Sequence, residues 1–104
     1  MTARLYVEAI ALAPGGDRLF VVRGQTAKAL IALVNGGDRG VTALEVATWA
    51  YRLAAYCYEL RIRCGLAIRT DREEHPGGWH GRHVLETPVT IRFVADPEQE
   101  AEAA

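Results

Sequence analysis

A chain of 104 residues, half of them hydrophobic, is sized for one small domain with a core of its own. No apolar run approaches the roughly 20 residues that span a bilayer. The opening "MTARLYVEAIALAPGG" has neither the basic head nor the long apolar middle of a secretory leader, so a cytoplasmic protein is expected.

The formal net charge is −1, with 12 basic and 13 acidic residues. Asp96, Glu98, Glu100 and Glu102 crowd into the last ten positions; without them residues 1–95 carry 12 basic against 9 acidic residues, or +3. Residues 95–104 therefore read as an acidic, disordered tail behind a mildly basic body. That balance permits nucleic-acid binding without requiring it.

Residues 4–12, "RLYVEAIAL", and 18–23, "RLFVVR", are rich in strand formers, and Ala13-Pro14-Gly15-Gly16-Asp17 between them is a turn. Residues 1–24 are read as an N-terminal β-hairpin. Over 25–35, Ala27, Leu30, Ile31 and Val34 recur at helical spacing, with Thr26 as the expected cap and Asn35-Gly36-Gly37 as the stop.

Thr42 and Glu45 stand at capping-box spacing, and Val41 and Val46 where a hydrophobic staple closes, so a second helix starts at Thr42. Its end is open. Val46, Ala50, Leu53, Cys57, Leu60 and Cys64 recur in steps of four and three, which allows one continuous helix to Cys64. Against it stands the β-branched and aromatic cluster of Val46, Thr48 and Trp49, while no Gly or Pro marks a break.

Gly65 is a helix stop. Residues 67–74 and 82–87 read as strands joined by a long glycine-rich loop, His75 to Gly81, and 89–94, "VTIRFV", is a last extended run beyond Pro88. Three helices followed by a two-stranded hairpin give an α+β winged helix: a three-helix helix-turn-helix core and a β-hairpin wing over residues 25–94, with the N-terminal hairpin added.

The stretch "GVTALEVATWAYRLAAYCYELRIRCGLAI" resembles the small helix-turn-helix domains of bacteriophage and prophage genes. The resemblance rests on Thr42, Glu45, Arg52, Leu53, Ala54, Ala55, Leu60, Arg61, Gly65 and Ile68. It covers roughly residues 25–87 and implies a helix break near Thr48–Ala50, DNA binding and a phage-related setting.

With Leu53, Cys57, Leu60 and Cys64 inward, Arg52, Tyr56, Glu59 and Arg63 form one flanking stripe. The DNA-binding set expected from helix and wing is Arg39, Arg52, Tyr56, Arg63, Arg69, Arg72, Trp79, His80 and Arg82. Arginine offers a planar fork to guanine or phosphate. The plain alternative is that Arg52, Glu59 and Arg63 pair on a solvated face, that wing acids pair across strands, and that Trp79 packs under its loop. Ala55, Tyr58 and Ile62 oppose the core and suit a protein partner better than phosphates.

Catalysis is not expected. The chain has no serine, no phosphate-cradling loop and no dinucleotide fingerprint, and Cys57 falls on the buried face. Cys57 and Cys64, two turns apart, are too far for a disulfide. Their spacing is not that of a zinc pair, although His75, His80 and His83 follow. No metal, cofactor or small-molecule substrate is expected. The expected partners are double-stranded DNA and a second copy, joined through an open strand edge of the N-terminal hairpin.

Overall fold

The computed structural model describes residues 4–45 and 52–97. Two strands open the chain, β1 (Tyr6–Ala11) and β2 (Arg18–Arg23). Helix α1 (Gly24–Gly36), a 3-10 turn (Gly37–Arg39) and helix α2 (Leu53–Cys64) follow. Strands β3 (Ile68–His75), β4 (Gly78–Leu85) and β5 (Val89–Ala95) complete the order.

The expected N-terminal hairpin is present, but it is not an appendage. β1 is the middle strand of a sheet ordered β2-β1-β5, antiparallel on both sides. The run after Pro88 thus returns to cover the edge of β1, and the open edges belong to β2 and β5. Alternation sorts β1: Val7, Ala9 and Ala11 are buried, while Tyr6, Glu8 and Ile10 face outward.

No linker separates β2 from α1. Gly24 takes φ 65°, which lets the chain turn at once into the helix while its N–H still donates to Leu5 O at 2.8 Å. Thr26 is therefore not the cap. Arg23 occupies that position, without a side-chain bond, and Thr26 lies inside the first turn. Ala27, Ala29, Leu30 and Leu33 are buried, so α1 presents a wider apolar face than the four expected positions; Ile31 and Val34 are half-buried. The width follows from its neighbours, since α1 packs on α2, on β1 and β2, and on β4.

The capping box forms. Thr42 N–H donates to Glu45 Oε1 at 3.0 Å, and Glu45 N–H donates to Thr42 Oγ1 at 3.3 Å. Beyond it, Val46 to Tyr51 lie outside the described residues, and with them the staple at Val46 and the break expected near Thr48–Ala50. Two α-helices, not three, are found among the described residues. A single helix running from Thr42 to Cys64 is not found either. Arg52 caps α2 with φ −105° and ψ 23°, outside helical geometry, and Leu53 is the first helical residue.

From there the sequence pattern holds: Leu53, Cys57, Leu60 and Cys64 are all buried. Gly65 ends α2 in the left-handed region, with its N–H to Arg61 O at 3.2 Å and Leu66 N–H to Leu60 O at 3.3 Å. Arg18 of β2 donates to Cys64 O and ties this helix end to the first sheet.

β3 and β4 pair over their whole length, Ile68↔Leu85 to His75↔Gly78. The seven-residue loop expected at the tip is a two-residue turn, Pro76-Gly77, with Gly77 at φ 94°. At the base, Val41 and His83 exchange both backbone hydrogen bonds at 2.8 Å, so the segment after α1 joins β4 as a third, one-residue strand. Residues 98–104, most of the expected tail, lie outside the described residues.

Candidate nucleic-acid interface

The candidate side chains come from three places: the 3-10 turn, α2 and the β3–β4 hairpin. The register divides the hairpin group. One face carries Ile68, Thr70, Arg72 and Glu74 with Leu85, His83, Gly81 and Trp79; the other carries Arg69, Asp71, Glu73 and His75 with Val84, Arg82, His80 and Gly78. Arg72 and Trp79 thus share one side, and Arg69, His80 and Arg82 share the other.

The first side belongs with α2. Arg61 reaches from the helix to Ile68 O, at 3.1 Å from Nε and 2.8 Å from Nη2, and to Thr70 Oγ1 at 3.0 Å. Thr70 Oγ1 in turn shares a hydrogen bond with His83 Nδ1 at 2.9 Å. His83 is buried; desolvation, and then the charge of Arg61, lower its pKa and favour the neutral ring. Farther out, the Arg72 guanidinium lies 4.7 Å from the centre of the Trp79 ring. Trp79 is more than half exposed, not packed beneath a loop, because it stands on a strand whose neighbour at position 81 is glycine.

The second side is closed by ion pairs. Arg82 donates to Glu73 through Nε at 2.6 Å and Nη2 at 3.1 Å, and through Nη1 to Glu45 Oε1 at 3.0 Å and Arg39 O at 3.4 Å. His80 Nε2 meets Glu73 Oε1 at 2.9 Å, and its ring stacks on His75 at 5.0 Å between centroids. Hydrogen bonds from Arg82 and His80 bring Glu73 down to about 2. The Thr42 N–H, and then Arg82 and Arg39, hold Glu45 below the usual carboxylate range. Arg82 is raised by the same two carboxylates. One guanidinium therefore joins both strands of the hairpin to the capping box after α1.

Five of the six candidate arginines pair with the molecule's own acids: Arg39 with Glu45, Arg63 with Glu59, Arg69 with Asp71 and Glu86, Arg72 with Glu74, and Arg82 as above. These pairs are not equal. Arg82 is 22% exposed and makes a two-pronged bond, whereas Arg63 is 79% exposed in a single i,i+4 pair. Exposed single pairs contribute about 0–1 kcal/mol and exchange readily for other anions. Arg52, at the start of α2, has no side-chain partner among the described residues.

Along α2, Tyr56 is half-buried against the core. Arg63 faces the first sheet and lines a cleft with Arg4, Arg23, Thr26 and Glu59. Between that flank and the wing lie Ala55, Tyr58 and Ile62, with Tyr58 58% and Ile62 65% exposed. Cross-strand pairing by the wing acids, the plain alternative in the sequence, is what Glu73 makes with Arg82 and His80. Sequence reasoning missed Glu45 and Arg61 as residues that fix the wing.

Cys57 and Cys64 are free and buried; burial pushes the Cys57 thiol up to about 11 and raises Cys64 as well. Among the described residues no group of three or more His, Cys, Asp or Glu side chains is placed to hold a metal ion. No described helix is long and apolar enough to cross a membrane.

Comparison with curated proteins and with solved structures gives no match. The sequence model of the winged helix domain family matches residues 19–95, from β2 to the end of β5. That span is well over half of the chain, and the chain belongs to the winged helix domain family.

Proposed function

We propose that this winged helix domain binds double-stranded DNA, with α2 in the major groove and the β3–β4 hairpin against the flanking backbone. The observation that carries the reading is the exposed guanidinium of Arg52 at the N-terminal end of α2, which has no side-chain partner among the described residues. Arg63 on one flank, and Arg72 beside Trp79 on the wing, sit in exposed pairs that phosphates displace at little cost. Arg82, His80 and Arg69 act as structure on the far face of the wing. The resemblance to phage and prophage helix-turn-helix domains supports a finer statement: a phage-related transcriptional regulator working in the cytoplasm. A second copy joined through the N-terminal hairpin doubles the phosphate contacts that one weakly basic domain makes.

Titration of a fluorescent random duplex against salt tests the reading. Each neutralised phosphate adds about −0.9 to the slope of log K against log salt. A slope equivalent to several phosphates is expected, with Arg52→Ala weakening binding and reducing the slope by about one unit. A flat response at low salt overturns it.

One observation favours a second reading, a protein-interaction module without DNA. Tyr58 and Ile62 put apolar surface at the outermost part of α2. In that case Tyr58→Ala and Ile62→Ala abolish partner binding, while the duplex titration stays flat.

A further inference from the structure

The three-stranded sheet has α1 on one side only. On the other side the register aligns Arg23, Tyr6 and Ala95 in one row, Val21, Glu8 and Phe93 in the next, and Leu19, Ile10 and Thr90 in the third. Leu19 is 54% and Phe93 52% exposed, and the Tyr6 and Phe93 rings meet edge to face at 6.2 Å. An antiparallel sheet with one solvated face ordinarily turns polar residues outward. This one turns Tyr6, Ile10, Leu19, Val21 and Phe93 outward. Contiguous apolar patches of this kind mark interaction surfaces.

Two charged side chains in these rows, Glu8 and Arg23, indicate the occupant; Arg92, exposed at the β5 irregularity opposite Glu8 and Ala9, stands outside the rows. Tyr6 Oη donates to Glu8 Oε2 at 2.8 Å, and the Arg23 guanidinium lies 5.1 Å from the centre of the Tyr6 ring. One anion and one cation therefore stand side by side, one row apart, within an apolar field. Such a face is its own electrostatic complement. A twofold axis in the contact plane, midway between them, sets Arg23 of each copy on Glu8 of the other and apolar rows on apolar rows. The strand spacing and rise give a face of roughly 14 by 20 Å. Two of them make roughly 560 Å² of flat area, short of the ~1,000 Å² that a stable interface clears, so the expected dimer is weak and depends on concentration.

We propose that the outer face of the β2-β1-β5 sheet binds a second copy of this chain, face to face. The inference rests on the homodimer reading above and moves its contact from a strand edge to the sheet face. It is independent of DNA binding.

Sedimentation of the full chain from micromolar to millimolar concentration tests it. The wild type is expected to approach twice 11.4 kDa as concentration rises. Leu19→Glu and Phe93→Glu, both at exposed positions, weaken association at least tenfold without changing the circular dichroism spectrum. Glu8→Arg and Arg23→Glu each weaken it, and the double variant carrying both restores it. A dimer undiminished by Leu19→Glu and Phe93→Glu overturns the face while leaving a homodimer in place. A monomer at every concentration overturns both and gives the face to a different partner.

Discussion

Gly40 has no choice of side chain. It takes φ 74° where the chain leaves the 3-10 turn, and a Cβ there would stand 2.6 Å from His83 O and 2.7 Å from Val84 Cγ2. Both strain and contact act on the same atom, because this is where the segment after α1 is pressed against β4. Gly40→Ala is expected to cost roughly 2–4 kcal/mol in chemical denaturation. A loss under 1 kcal/mol would show that the Val41–His83 bridge is looser than its two 2.8 Å bonds imply. None of this is legible in "GGDRG", which reads as an ordinary loop. Cys57 is the opposite case. Its burial follows from spacing alone, and the fold adds the consequence: with a thiol at about 11, the thiolate is scarce at pH 8. Iodoacetamide at pH 8 is expected to leave Cys57 unmodified in the folded protein and to label it once denaturant is added. Mass spectrometry of the labelled peptide reads the difference.

At the scale of elements, the hairpin is held by charge as well as by its ladder. Glu73 and Glu45 have depressed pKa values in the folded state, so their pairing with Arg82 supports folding fully above the ordinary glutamate pKa of about 4.3. That support is lost as pH falls towards about 2, where Glu73 takes up its proton. His83, with its pKa lowered by burial, acts in the same direction from about 6.5 downward. Thermal melting between pH 7 and 2 should therefore fall in two stages. In Arg82→Met the second stage should flatten, since neither carboxylate keeps that partner; an unchanged acid limb would remove Arg82 from the network. The hairpin is legible in the sequence but its tip is not, and glycine is the reason. Gly77 does serve the turn, but Gly81 lies mid-strand, where a Cβ would meet Thr70 Cγ2 at 2.8 Å. A glycine spared for a neighbour's side chain looks, in one dimension, like a glycine spared for a loop. The short turn keeps Trp79 and His80 on β4 and sets Glu73 beside Arg82.

For the whole molecule, the decisive contact joins the two ends of the described chain. β5 pairs with β1 from Tyr6↔Ala95 to Ala11↔Val89, and Leu12 N–H donates to Pro88 O at 2.9 Å. Local pattern marks both segments as extended, yet nothing local says that residues so far apart are neighbours; only the closed core requires it. The link between wing and β5 is fixed as well, by Ala67 N–H to Thr87 Oγ1 at 2.8 Å and Glu86 N–H to Ala67 O at 2.8 Å. The N-terminal hairpin is thus one side of a sheet that α1 covers and β5 completes. Removing residues 88–104 strips the ladder bonds from one edge of β1, takes Val89 and Ile91 off the core, and leaves Ala9 and Ala11 beside water. Buried backbone groups left without partners add to the lost apolar burial. The shortened chain is expected to lose its cooperative thermal transition, whereas removing only 98–104 should leave the transition in place. If the chain ending at Thr87 still melts in one sharp step, the β1–β2 hairpin stands without β5, and the two ends of the protein are less dependent on each other than their register indicates.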